Sequence, residues 1–325
     1  MENPYILEVK NLKKYYPVRS MSIGKRKTFV KAVDDVSFSI RKGTTMGLVG
    51  ESGCGKTTVG RTILRLHEVT GGEVFFEGKD LSKLTPSQLR KLRPQIQMIF
   101  QDPYSSLSPR MPVGEIIGEA VKEHKIVPKE QYRPYILKVM RDCGLQPQHF
   151  YRYPHEFSGG QRQRISIARA VALNPKFIIC DEPLSALDVS IQAQIINLMK
   201  DLQDHYGYTY LFISHDLSVV KHISNTIAVM YLGGIVEKGD KKKIFENPMH
   251  PYTKALLSAV PVSDPDVKMK RILLTGEIPS PVNPPSGCKF RTRCPHAMDI
   301  CAEKAPVFKA YDDEHEVACH LYSQE

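Results

Sequence analysis

Long apolar runs are missing from this sequence. No stretch approaches the roughly 18–20 consecutive apolar residues that a membrane-spanning helix needs, and residues 1–10 lack the apolar core of a signal peptide. We therefore expect a cytosolic chain that spans no membrane by itself. Its 325 residues are 42% hydrophobic and 25% charged, which is typical of a globular protein with one large domain and a smaller one.

Acidic residues are missing from one segment near the N-terminus. Between Val9 and Lys31 there are eight Lys and Arg residues and no Asp or Glu, in a chain whose net charge is +10. A basic surface suits nucleic acid, an anionic membrane surface or phosphate ligands, although a solvated hairpin face is the plainer interpretation. Ser20–Lys27 is predicted to be the loop of that hairpin.

Strands and helices alternate along most of the chain, which favours an α/β protein with a mainly parallel sheet. The predicted strands are Ile6–Val9, Val30–Ile40, Thr44–Val49, Glu73–Glu77, Gln95–Phe100, Phe177–Cys180, Thr209–Ser214 and a region from Thr226 to Val236. The predicted helices are Thr57–Leu66, Gln161–Leu173, Ile191–His205 and Ser218–Ser224, and 103–154 is predicted to be mostly helical. After Pro248 prolines accumulate, and we expect a separate C-terminal extension with little regular structure.

Residues 50–57 carry a phosphate-binding motif. They read Gly-Glu-Ser-Gly-Cys-Gly-Lys-Thr between a predicted strand and a predicted helix, which is the context that G-x-x-x-x-G-K-[ST] requires. Gly53 and Gly55 allow successive N–H groups to surround a phosphate, and the helix dipole adds to the attraction. Lys56 can reach the β- and γ-phosphates, and the Thr57 hydroxyl can bind Mg²⁺.

A buried strand that ends in two acids provides a second part of the same chemistry. Asp181 and Glu182 follow Phe177–Cys180, at the carboxyl end of a strand, where ligands of α/β proteins bind. We expect Asp181 to support Mg²⁺ through water, and Glu182 to orient and polarise the water that attacks the γ-phosphate. The alternative, a solvated Asp-Glu turn before Pro183, is disfavoured by the phosphate loop in the same chain.

A second anion-binding device points to a family. Ser158-Gly159-Gly160-Gln161 opens another predicted helix, and one nucleotide does not need two such devices. With these motifs the sequence resembles the ATP-binding subunit of an ABC transporter, a family in which two subunits sandwich two ATP molecules between one chain's phosphate loop and the other chain's signature. Phe157 stands where that signature has Leu. The resemblance implies an α/β ABC-type P-loop ATPase core with an N-terminal antiparallel β subdomain and a helical signature subdomain.

The resemblance also implies roles for single residues. Tyr16, with Tyr15 as the fallback, would stack on adenine, and His215 would contact the γ-phosphate. Catalytic roles fall to Lys56, Gln101, Glu182 and His215, and contacts to Mg²⁺ fall to Thr57, Gln101 and Asp181. The implied ATP-binding residues are Tyr16, Gly50, Glu51, Ser52, Gly53, Cys54, Gly55, Lys56, Thr57 and Thr58. The residues implied to bind ATP in trans, from the signature and the dimer-interface loop, are Ser158, Gly159, Gly160, Gln161 and Asp188.

Three stretches narrow the resemblance to dipeptide and oligopeptide importer ATPases, and most of all to the second of their two ATPase subunits. They are Gln101–Arg110, His250–Leu257 and the proline-rich, cysteine-bearing tail. The implied partners are a related ATPase in a heterodimer, two membrane-embedded permease subunits and an extracytoplasmic peptide-binding protein. The implied location is peripheral, on the cytoplasmic face of the inner membrane.

Other functions share the same core. ATPases of nickel or other small-solute importers, and exporter ATPases, stay open as alternatives. A DNA- or ribosome-associated ATPase is disfavoured, because the chain has neither a long coiled coil between its motifs nor a second ATPase head. We therefore expect no nucleic-acid partner.

Four cysteines are concentrated in the tail. Cys288, Cys294, Cys301 and Cys319 are separated by five, six and seventeen residues, without the short C-x₂₋₄-C pairs usual at zinc sites. Disulfides do not suit a cytosolic chain, whereas single spaced cysteines suit a [4Fe–4S] cluster. The tail also resembles that of cluster-bearing importer ATPases. A structural [4Fe–4S] cluster is therefore the first expectation, zinc the second and no metal the third.

These features together predict the domain boundaries. A nucleotide-binding domain is expected over 5–247, with its helical subdomain at about 103–172. The C-terminal extension is expected over 248–325, with the four-cysteine segment at 288–319.

Overall fold

The structure is a computed structural model that describes residues 3–18, 28–261 and 271–322. Its strands are β1 (Tyr5–Pro17), β2 (Phe29–Arg41), β3 (Thr45–Val49), β4 (Gly71–Phe76), β5 (Lys79–Asp80), β6 (Ile96–Ile99), β7 (Phe177–Asp181), β8 (Thr209–Ser214), β9 (Thr226–Tyr231), β10 (Gly234–Asp240), β11 (Lys309–Asp312) and β12 (His315–Val317). Its α-helices are α1 (Lys56–Ile63), α2 (Pro86–Leu92), α3 (Pro103–Ser106), α4 (Val113–Glu123), α5 (Tyr132–Asp142), α6 (Gly159–Val171), α7 (Val189–Tyr206), α8 (Leu217–Ile223), α9 (Lys241–Glu246), α10 (Pro251–Ser258) and α11 (Ile300–Glu303). The predicted hairpin loop Ser20–Lys27 lies outside the described residues.

The chain divides into two compact units, each built from separate stretches of sequence. The first unit comprises Met1–Ile6, Ile40–Thr45 and Lys83–Ile213. The second unit comprises Leu7–Ser39, Met46–Ser82 and Ser214–Glu325. The motifs expected to act on one nucleotide are therefore distributed over both units.

The first unit contains a parallel β-sheet region and most of the helices. Strands β6, β7 and β8 lie side by side in that order, with Ile96 opposite Phe177 and Phe177 opposite Thr209. Every residue of β7 and β8 is buried, which explains their continuous apolar sequences. Helix α4 packs against α5 and α6, and α6 packs against α7. The expected helical region at 103–154 is thus confirmed, and parallel strands are present as predicted.

The second unit contains two sheet regions. An antiparallel sheet has the order β2-β1-β4-β5, as expected for an N-terminal β subdomain. In the other region β3 pairs with β9 in parallel, and β10 pairs with β9 in antiparallel orientation. Because β3 is buried throughout and leads directly to the phosphate loop, the loop starts from a fixed point of the core.

The C-terminal part of the chain is more regular than the sequence indicates. Residues 271–299 have neither helix nor strand, as expected, but β11 and β12 form an antiparallel pair. Strand β12 also pairs with β10, with Val317 opposite Glu237. The expectation of little regular structure is therefore wrong for 251–258, where α10 lies, for 300–303, where α11 lies, and for 309–317. Burial of His315 and Val317 on one face of β12 explains the pairing.

The helices of the described residues are short or polar. None of them combines the length and the apolar character that crossing a bilayer takes.

Candidate functional site

The phosphate loop lies in the second unit, between β3 and α1. Gly55 caps the N-terminus of α1 in a left-handed conformation, with φ of 110°. A Cβ atom on Gly55 would lie 2.1 Å from the backbone oxygen of Ala32, and one on Gly50 would lie 2.2 Å from that of Met230. Only glycine fits at these two positions, because the obstructing atoms belong to the backbone.

Lys56 is held inside this loop. Its Nζ donates hydrogen bonds to the carbonyl oxygens of Gly50, at 2.8 Å, and Glu51, at 3.0 Å. The side chain is buried, although it carries a positive charge. A buried lysine at the start of a helix favours an anionic ligand at this place.

Tyr16 lies next to the first turn of α1. Desolvation raises the pKa of Tyr16 above its usual value, while a hydrogen bond with Thr58 and the charge of Arg61 oppose the shift. The Tyr16 ring contacts His67 edge to face at 5.8 Å between centroids, and the Nζ of Lys14 lies 4.8 Å from its centroid. The ring therefore lies beside α1.

Tyr15, the fallback for adenine stacking, has a different environment. Its hydroxyl donates a hydrogen bond to Asp34, and the Nζ of Lys31 lies 5.8 Å from its ring. Burial and the Asp34 carboxylate raise the pKa of Tyr15 well above its usual value. Tyr15 is therefore engaged with β2, whereas Tyr16 is the tyrosine beside α1.

His215 follows β8 and lies at the start of the last stretch of the second unit. The side chain is exposed. Its position is fixed by its neighbours, because the backbone N–H of Asp216 donates to Ser214 Oγ at 2.9 Å and the Asp216 carboxylate caps α8.

Asp181, Glu182 and Gln101 come together in the first unit. Asp181 ends β7 and is fully buried, opposite Ile213 of β8. Glu182 has a left-handed backbone, with φ of 45°, and its N–H donates to the Ile213 carbonyl at 3.0 Å. Gln101 Nε2 donates to Glu182 Oε2 at 3.0 Å. A non-glycine residue with this φ is uncommon, and such strain concentrates at functional sites.

The signature stretch begins α6 in the same unit. Ser158 caps the helix reciprocally with Gln161, whose N–H donates to Ser158 Oγ at 3.4 Å while Gln161 Oε1 accepts from the Ser158 N–H at 3.1 Å. Ser158 and Gly159 are exposed, so the N-terminus of α6 is open to a ligand. Phe157, which stands where the family has Leu, is buried, so this position keeps a buried apolar side chain.

Asp188 caps the neighbouring helix α7. Its Oδ1 accepts hydrogen bonds from Ser190 Oγ at 2.8 Å and from the Ile191 N–H at 3.1 Å, and these bonds lower the pKa of Asp188. A Cβ atom on Gly160 would lie 2.5 Å from Ile191 Cγ2. The signature and the Asp188 loop are therefore packed closely together.

The four tail cysteines all lie in the second unit. The Cys288 N–H donates to the Cys301 carbonyl at 2.8 Å. Desolvation and the charges of the other three cysteines raise the pKa of Cys319 to about 11. Among the residues that the structure describes, however, no group of three or more His, Cys, Asp or Glu side chains is arranged to hold a metal ion. The donor chemistry suits a cluster, but the thiol positions do not.

Two contacts that hold the phosphate loop were not predicted from the sequence. Tyr252 is fully buried, and its hydroxyl accepts a hydrogen bond from the Glu51 N–H at 2.9 Å. Arg293 forms a bidentate ion pair with the Glu51 carboxylate, which raises the pKa of Arg293. The family-like stretch around Tyr252 could have indicated the first contact, but nothing in the sequence pointed to the second.

Glu237 forms a further unpredicted centre. It is fully buried in β10 and accepts hydrogen bonds from the N–H groups of Met249, at 2.7 Å, and His250, at 2.9 Å. His315 Nε2 lies 2.7 Å from Glu237 Oε1. This carboxylate connects β10, the start of α10 and β12.

The fold and these motifs define a class of protein, the ABC-type ATPases. The sequence matches the family described as "ABC transporter" over residues 33–185, and the family described as "Oligopeptide/dipeptide transporter, C-terminal region" over residues 236–301. A dimeric post-hydrolysis structure of the ATP-binding cassette MJ0796 bound to ADP and Pi is similar, with a TM-score of 0.63 and 28% identity. That similarity covers 72% of this chain and 98% of the cassette.

Relatives that align over nearly the whole chain identify a narrower family within the ABC-type ATPases. The chain is 55% identical over 321 residues to the oligopeptide transport ATP-binding protein AppF of Bacillus subtilis (strain 168), covering 98% of each chain. It is 50% identical over 320 residues to the dipeptide transport ATP-binding protein DppF of Escherichia coli (strain K12), covering 98% of this chain and 95% of that protein. The chain therefore belongs to the family of ATP-binding subunits of dipeptide and oligopeptide ABC transporters. The family and fold class inferred from the sequence are confirmed, and an ABC ATPase uses ATP with Mg²⁺.

Proposed function

We propose that this chain hydrolyses ATP to drive the import of dipeptides or oligopeptides through membrane-embedded permease subunits that receive peptide from an extracytoplasmic binding protein. The names of its whole-length relatives and the match of its C-terminal region to peptide transporters support this substrate class over nickel. We also propose a nucleotide-binding domain over 5–247 and an extension over 248–325. The chain would work at the cytoplasmic face of the inner membrane, as a peripheral subunit.

ATP would bind to the phosphate loop through residues 50–58. Lys56, now bonded to two loop carbonyls, would exchange those bonds for β- and γ-phosphate oxygens. Tyr16 would stack on adenine, since its ring lies beside α1 while Tyr15 is bonded to Asp34.

Mg²⁺ fits the oxygen donors of this chain. The Thr57 hydroxyl, the Asp181 carboxylate and the Gln101 amide oxygen are hard donors of the kind that Mg²⁺ prefers. When bound, the ion neutralises charge on the β- and γ-phosphates.

The hydrogen bond between Gln101 and Glu182 is the observation that best supports a hydrolytic role for Glu182. It holds a carboxylate at the carboxyl end of β7, where the carboxylate can orient and polarise a water molecule. His215 would contact the γ-phosphate. Catalysis in this arrangement consists of positioning and electrostatic stabilisation.

The open N-terminus of α6 supports a dimer. We propose that Ser158, Gly159, Gly160 and Gln161, with Asp188, bind the ATP held by the phosphate loop of a second, related ATPase subunit. A helix N-terminus with an exposed glycine is suited to a phosphate that another chain presents.

We also propose that Cys288, Cys294, Cys301 and Cys319 hold a [4Fe–4S] cluster, with zinc as the alternative. The concentration of four cysteines within 32 residues of the extension supports a shared site, although the thiols would have to draw closer around a metal. Anaerobic purification with an absorption spectrum and iron, sulfide and zinc analysis tests this. A colourless protein with stoichiometric zinc, or with no metal, would contradict the cluster.

The hydrolytic role is tested with Glu182→Gln in the assembled transporter. We expect ATP turnover to fall at least about 100-fold while ATP binding persists, because the variant keeps the hydrogen-bonding shape and loses the base. Glu123→Gln is the matched control, since Glu123 pairs with Arg90 on the exposed surface of the first unit. Normal turnover by Glu182→Gln would refute the assignment.

A further inference from the structure

The cysteine-bearing segment contacts the phosphate loop through a forked ion pair. Arg293, the residue before Cys294, donates from Nη1 to Glu51 Oε2 at 2.8 Å and from Nη2 to Glu51 Oε1 at 3.0 Å. The Arg293 side chain is 8% exposed and that of Glu51 is 23% exposed. Two parallel charge-assisted bonds in a largely dry setting are stronger and more directional than a surface ion pair.

Arg293 is itself held in place by aromatic side chains. Its guanidinium carbon lies 5.9 Å from the centre of the Tyr231 ring. Tyr231 packs against Tyr252 and Phe290, with ring centroids 4.8 Å and 5.2 Å away. Tyr252 also accepts the Glu51 N–H, so the C-terminal part of the second unit fixes Glu51 through both its backbone and its carboxylate.

The charges of Glu51 and Arg293 affect how strongly the loop attracts a negatively charged triphosphate. Glu51 is the second residue of the phosphate loop, and Lys56 Nζ bonds to its carbonyl oxygen. An uncompensated carboxylate at this point of the loop would repel ATP. Arg293, in the four-cysteine segment, supplies the compensating positive charge. None of the nucleotide-binding motifs in the sequence includes this arginine.

We propose that Arg293 is a positioning residue of the ATP site, which neutralises Glu51 and fixes the first turn of the phosphate loop. Through Arg293, the four-cysteine segment at 288–319 sets the affinity of the phosphate loop for ATP. This inference rests on the proposed assignment of residues 50–58 as the ATP site.

Arg293→Gln in the assembled transporter tests the inference. We expect the Kd and KM for ATP to rise about 5- to 30-fold, with kcat within about twofold of wild type, because the change weakens binding and leaves Glu182 in place. The double variant Glu51→Gln/Arg293→Gln should recover a Kd within about threefold of wild type, since it also removes the uncompensated carboxylate. Arg293→Lys, which keeps the charge without the fork, should give an intermediate Kd.

A purely structural role would give a different pattern. It would weaken binding in the double variant at least as much as in the single variant, and that result would overturn the proposal. If Arg293→Gln fails to fold, the Kd of the double variant decides, because the proposal expects it to lie within about threefold of wild type. A larger rise of the Kd in the folded double variant would contradict the proposal.

Two controls separate this inference from the function on which it rests. Glu316→Gln breaks the ion pair with Lys238, at 2.6 Å in the same part of the second unit, and should leave the Kd for ATP unchanged. Lys56→Ala should abolish ATP binding, and normal binding by this variant would mean that the assignment of the loop is wrong. If Lys56→Ala fails to bind while Arg293→Gln binds with the wild-type Kd, only the inference about Arg293 is wrong.

Discussion

The stability of the protein should fall as the pH drops from 7.5 to 5, through His250. This residue caps α10, where its Nδ1 accepts the Tyr252 N–H at 3.1 Å, and it is 1% exposed. Burial lowers the pKa of His250 from 6.5 to about 4, and the nearby charge of Glu237 opposes this shift without overcoming it. The folded protein therefore keeps His250 neutral at pH values where the unfolded chain protonates it.

The sign and size of the effect follow from linkage. A depressed pKa contributes stability that is present above the unfolded value of 6.5 and is lost as the pH falls towards about 4. The full shift corresponds to about 3 kcal/mol, of which about 2 kcal/mol is already lost at pH 5.

The assay is urea unfolding at pH 7.5, 6 and 5 for wild type and His250→Asn. Asparagine keeps an acceptor for the Tyr252 N–H and does not titrate, so its unfolding free energy should fall by about 2 kcal/mol less than that of wild type over this range. His67 and His149, whose pKa values burial also lowers, are present in both proteins and cancel in the difference. An equal loss of unfolding free energy in the two proteins between pH 7.5 and 5 would show that His250 does not cause it.

Three further changes have defined outcomes. Gly55→Ala should abolish ATP binding without unfolding the chain, because the new Cβ would meet the Ala32 carbonyl 2.1 Å away; nucleotide titration with circular dichroism checks this, and normal binding would contradict it. Phe290→Ala should lower the unfolding free energy in urea by about 3–5 kcal/mol, since the ring is fully buried, and a loss below about 1 kcal/mol would count against its role in the core. Glu237→Ala should cost about 3–5 kcal/mol in the same assay, because His315 and two backbone N–H groups lose their acceptor; an unchanged midpoint would be the contrary result.

Local sequence patterns predicted the α/β fold class, the phosphate loop and the acids after β7, and the family resemblance supplied the ABC-type architecture and the other site residues. The phosphate loop is recognisable because a tight turn, a lysine and a hydroxyl must follow one another within a few residues. The acids after β7 are recognisable because a fully buried strand has a continuous apolar sequence. The structure brings Gln101 to Glu182 across 81 positions, and the family resemblance indicates both residues.

Contacts between residues far apart in the chain could not be predicted from the sequence. Arg293 and Glu51 are 242 positions apart, and no periodicity links an arginine beside a cysteine to a phosphate loop. Strands β11 and β12 are four and three residues long, too short to give an alternating pattern, and β12 is fixed by pairing with β10. In the sequence, Glu237 is an ordinary glutamate within a strand. Only the structure shows its contacts with the His250 N–H and the His315 ring.

ATP-driven peptide import can be measured in proteoliposomes that contain the complete transporter, with ATP on the side that carries this subunit. With the wild-type chain, we expect ATP-dependent accumulation of a labelled dipeptide or oligopeptide, and none with Glu182→Gln. Equal uptake with both chains, or ATP-dependent uptake of nickel without uptake of peptide, would contradict a role of this chain in powering peptide import.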